Sequence, residues 1–154
     1  MKIMLLSESM VGDYMYVQEF VCDTQGLLYK LAAEEGYDMS VFSYLYLNSD
    51  FCSRSQDKPS RLRYDDEEVS LFYLLKEIGG QLKKYPDNVK FNLDVAYWIG
   101  WVYRQLCFLC EKPSKFLCEK IPFELMCDYY PGMHTIDEDN AAEIILNNAG
   151  LHMI

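Results

Sequence analysis

Histidine is scarce in this 154-residue chain: His134 and His152 are the only two. Sites built on three imidazoles are therefore excluded. Positive charge is also short. The 14 lysines and arginines face 24 acidic residues, a formal charge of -10, which argues against holding nucleic acid through released counterions. No apolar run reaches the roughly 20 residues of a bilayer span. The most apolar stretch, Val95 to Cys110, is interrupted by Arg104 and Gln105. After Lys2, the run Ile3-Met4-Leu5-Leu6 is too short for a signal-peptide core. A cytosolic protein without membrane insertion is expected. A glycine-rich phosphate loop is missing, since Gly79-Gly80 lacks the lysine and serine that such a loop needs. No repeat, low-complexity tract or linker divides the chain.

The material for a core is ample. Half the residues (51%) are apolar and 15% are aromatic, which rules out global disorder. A chain of this size buries roughly 70% of its unfolded surface, so one domain is expected. Six cysteines, Cys22, Cys52, Cys107, Cys110, Cys118 and Cys127, scatter over apolar segments. Cys107-Phe108-Leu109-Cys110 has the spacing of half a zinc site. It falls inside an apolar helical pattern, however, and Cys118 and Cys127 form no second close pair. Reduced, unpaired, metal-free thiols are expected, and no cofactor.

The dominant period is helical. Val17, Phe20, Val21, Thr24, Leu27, Leu28 and Leu31 mark a first helix, with Asp13 as its cap and Gly36 at its end. Asp38 to Leu47 carries Phe42, Leu45 and Tyr46 at helical spacing, though it also alternates like a strand. Residues 48 to 64 predict a short helix and then a loop. Asp65-Asp66-Glu67-Glu68 opens another helix, with Val69, Phe72, Leu75, Ile78 and Leu82 as its buried stripe. Asn92 to Glu111 is apolar on nearly all sides and reads as the central helix. Shorter pieces follow: one capped by Ser114, one from Pro122 to Tyr130, a Pro131-Gly132 turn, and a last helix opened by a Thr135–Glu138 capping box. This last helix buries Ala141, Ile144 and Ile145. The expected fold is an all-α bundle of six to eight helices.

Arg104 stands out because it lies on the most apolar helix, one turn from Trp101 and two from Tyr97. A buried guanidinium must find acceptors or aromatic faces. Two readings are open. One is an anion or substrate clamp in a pocket with Tyr97, Trp101 and His134. The other is a structural pair with Asp137, Glu124 or Asp128, tying the C-terminal third to the central helix. His134 is either a general base or a side chain that fixes its turn. Paired acids such as Asp137 with Asp139 read as helix starts, and Arg54, Lys58, Arg61 and Arg63 as a solvated basic loop.

The segments Tyr97-Trp98-Ile99-Gly100-Trp101-Val102-Tyr103-Arg104, Pro113-Ser114-Lys115 and Tyr130-Pro131-Gly132-Met133-His134-Thr135-Ile136-Asp137 resemble a group of small bacterial proteins. Leu47-Asn48-Ser49-Asp50-Phe51-Cys52 is similar to them as well. Some members lie in toxin–antitoxin-like gene clusters, near toxins resembling ADP-ribosyltransferases. The members tend to carry aromatics directly after the arginine, where Gln105-Leu106 stands here. The resemblance implies an antitoxin-like or accessory role, with another protein as partner and no catalytic residues. The expectation is a cytosolic protein-binding module, with self-association as a further expectation. The alternative is a small enzyme or ligand-binding domain with a pocket around Arg104 and His134.

Overall fold

The computed structural model describes residues 8–58 and 65–154, with side chains from Val17 onward. Lys2 to Leu6, Pro59, Ser60, Arg61 and Arg63 lie outside the described residues. The fold is all-α, as the periodicity predicts. The α-helices are α1 (Glu8–Glu34), α2 (Met39–Leu47), α3 (Glu67–Ile78), α4 (Leu93–Cys110), α5 (Ser114–Lys120), α6 (Phe123–Met133) and α7 (Glu138–Asn148). A π-helical turn (Cys52–Gln56) follows α2, and a short 3₁₀ turn (Gly79–Gln81) extends α3.

Helix α4 is central. It packs along α1, and α5, α6 and α7 all lean on it. The α1–α4 crossing is close because glycine stands on both sides. A Cβ on Gly100 would sit 2.7 Å from the Gln25 carbonyl and 2.8 Å from the Tyr29 ring, and one on Gly26 2.8 Å from the Tyr97 ring. The Tyr29, Phe42 and Tyr46 rings then pack edge-to-face and stacked between α1 and α2, filling the core with apolar area at low rotamer cost.

The ends of the helices follow local chemistry. Gly36 takes φ +86° and closes α1 in the left-handed region that favours glycine. Asp38, Asp66, Asn92 and Asp137 cap α2, α3, α4 and α7 with side-chain acceptors. The Asp38 cap and the buried Met39, Phe42 and Tyr46 settle the ambiguous segment as a helix.

Several expected details shift. Helix α1 starts at Glu8, so Asp13 lies inside it rather than at its cap. Its buried stripe is turned toward Cys22, Gln25 and Tyr29, leaving Leu27 exposed. Pro131 and Gly132 are helical: a proline in the last turn forfeits one hydrogen bond, and α6 continues to Met133. Helix α7 is capped by Asp137 rather than by Thr135, because the carboxylate two residues later accepts from Asp139 N. Ile144 is exposed, while Ala142 and Leu146 join Ala141 and Ile145 in the core. In α3 the inner face is Ser70, Leu71, Leu74 and Ile78, whereas Val69 and Phe72 face outward.

The crossing generates a paired test. Gly100→Ala forces the Gln25 carbonyl or the Tyr29 ring aside and is expected to cost about 1–3 kcal/mol by overpacking. Gly80→Ala meets no atom within 4 Å and is expected to be neutral or to stabilise by up to about 1 kcal/mol. Urea melts of the two variants check the contrast.

Candidate functional site

Arg104 is 1% exposed, and each of its three side-chain nitrogens is hydrogen-bonded. Its Nε donates to Gln25 Oε1 at 3.0 Å and its Nη1 to Asp57 Oδ1 at 2.7 Å. Its Nη2 donates to Ser114 Oγ at 2.8 Å and to Cys52 Sγ at 3.3 Å. The acceptors come from α1, the π-helical turn, its capping residue Asp57 and α5. Tyr46 of α2 joins through Gln25, whose Oε1 accepts from the Tyr46 hydroxyl at 2.7 Å and whose Nε2 donates to the Gly100 carbonyl at 2.8 Å.

The countercharge is Asp57, not Asp137, Glu124 or Asp128. Those three lie on α6 or at the start of α7, while the guanidinium reaches the turn after α2 instead. Ser114, expected as a helix cap, is the first residue of α5. Its hydroxyl donates to Asp57 Oδ1 at 2.6 Å, and its backbone N–H points at both Asp57 oxygens, at 3.2 and 3.3 Å.

Burial alone disfavours the Arg104 charge, but the surrounding Cys107, Cys52, Tyr46 and Asp57 outweigh it and raise its pKa well above the ordinary value. Burial also pushes up the Cys52 thiol and the Tyr46 phenol and raises Cys107 to about 12. The ion pair itself is made with the Asp57 carboxylate, at 2.7 Å. A groove of about 660 Å³ lies over the node, lined by Asp57, Arg104, Cys107, Lys58 and Lys112 among others. Ser114 and Cys52 are fully buried beneath it. The Ser114 hydroxyl is therefore covered, while Asp57 reaches the groove, and the contact between them completes the shell around the guanidinium.

The other residues singled out in the sequence lie elsewhere. The Tyr97 hydroxyl and the Trp101 indole N–H both donate to Asp23 Oδ1 on α1, at 3.1 and 2.8 Å. His134 ends α6 and stacks on Tyr130, ring centroids 4.4 Å apart. With Tyr97 it lines a second pocket, of about 340 Å³. Asp137 caps α7. Arg104 and His134 thus line different pockets. Sequence reasoning missed Asp57, Asp23 and Gln25. Only Gln25, a polar side chain near an apolar stripe, left a signal. All six cysteines are free, and no metal-binding group of three or more side chains occurs among the described residues. No helix among them is long and apolar enough to cross a membrane. Compared with protein-family models, curated proteins and solved structures, the chain matches none.

Removing one partner of a buried, hydrogen-bonded pair strands the other. Arg104→Ala is expected to cost about 3–5 kcal/mol. Arg104→Lys is also expected to destabilise, because an ammonium cannot serve acceptors around a planar fork. Unchanged denaturation midpoints would contradict this role. The thiols make a pH prediction. The fold favours protonated Cys107, whose ordinary value of 9.0 is raised to about 12. Its contribution is present below pH 9 and is lost as pH climbs toward 12. The melting temperature should fall over that window, and a disulfide-exchange reagent at pH 8 should leave Cys22, Cys52 and Cys107 unmodified until the chain is unfolded.

Proposed function

We propose that this chain is a cytosolic protein-binding module, an antitoxin-like or accessory neutraliser, which docks a basic partner on the outer face of α3. The supporting observation is that α3 is apolar on two faces. The inner face, Leu71, Leu74 and Ile78, is covered by the bundle. The outer face carries Val69, Phe72 and Tyr73 at 39%, 57% and 49% exposure. With Lys76 these positions form an i, i+3, i+4, i+7 stripe, the spacing by which a helix presents anchors to a partner.

The Phe72 and Tyr73 rings meet edge to face, with centroids 5.4 Å apart. Lys76 lies over Phe72 at 4.6 Å and is the local covering of the ring. Clustered exposed aromatics mark interaction surfaces, and buried aromatic anchors contribute most of the binding energy in many interfaces. The chemistry of the partner follows from charge. Asp65, Asp66, Glu67 and Glu68 form the N-terminal end of the same helix, and the whole chain carries -10. A basic surface around an apolar depression complements both features, and the field speeds encounter at low salt. A second copy of this acidic chain is the poorer match. The resemblance to proteins of toxin–antitoxin-like clusters supports the same reading.

The test is co-expression with the products of neighbouring genes, followed by pull-down and by titration of the captured protein. Phe72→Asp and Tyr73→Asp change exposed side chains, so the melting temperature should stay within about 2 °C. Affinity for a basic partner should fall at least about tenfold, and association should slow as salt rises. Equal binding by both variants would remove α3 from the interface.

A further inference from the structure

We draw no further inference here: the strongest candidate, the largely apolar groove of about 510 Å³ between α2 and the start of α6, lined by Val41, Tyr44, Leu45, Cys118 and Phe123 among others, carries nothing, because nothing in the structure shows what covers it.

Discussion

A guanidinium buried to 1% exposure constrains everything around it. Arg104 arrives on the most apolar helix of the chain, and its charge has to be answered where it lands. The answer comes from Gln25, Cys52, Asp57 and Ser114, which are 79, 52, 47 and 10 residues distant in sequence. The helices α1, α4 and α5 and the turn after α2 are thereby required to meet at one place. Such a pair does not guarantee net stability, since desolvation of both charges offsets much of their attraction. Its effect is on specificity: an arrangement that misplaces any of these segments leaves a charge or a hydroxyl without a partner. Because all but one of the contacts are distant in sequence, loop closure must precede them.

The α1–α4 crossing complements this node. With no Cβ at Gly26 or Gly100, the two backbones come near enough for the Gln25 amide to reach the Gly100 carbonyl at 2.8 Å. The same Gln25 then offers its oxygen to Arg104 and Tyr46. Close packing of two helices thus sets the position of one amide, and that amide orients the guanidinium one turn along α4. The Asp23 carboxylate, which holds Tyr97 and Trp101, is a further polar contact across the same crossing.

Much of the fold was legible, and the reasons for the gaps are physical. The 3.6-residue period revealed the helices, and Gly36 and the acidic start of α3 sat where termini need them. Arg104 was legible as a residue with an obligation, because a charge amid Val102, Leu106 and Leu109 has no bland explanation. Its partner was not legible. Asp57 sits in a polar stretch where an acid is unremarkable, and pairing through space leaves no period. Ser114 fits a helix start equally well, and only the folded chain turns its hydroxyl toward Asp57. The start of α7 offered two capping side chains, Thr135 and Asp137, and the carboxylate took the position. Helix α3 misled for another reason: with apolar residues at 69, 71, 72, 73, 74, 75 and 78, periodicity cannot say which stripe faces in.

The outward stripe of α3 also bears on how the chain behaves when nothing is bound to it. Exposed Val69, Phe72 and Tyr73 invite non-specific sticking, and a newly made chain presents them to every other chain nearby. Two features oppose this. The four acids of residues 65–68 flank the stripe at one end and Lys76 at the other, as charged gatekeepers flank aggregation-prone segments elsewhere. The net charge of -10 adds colloidal repulsion between copies. The charges beside the open apolar face thus oppose the sticking that the face itself invites.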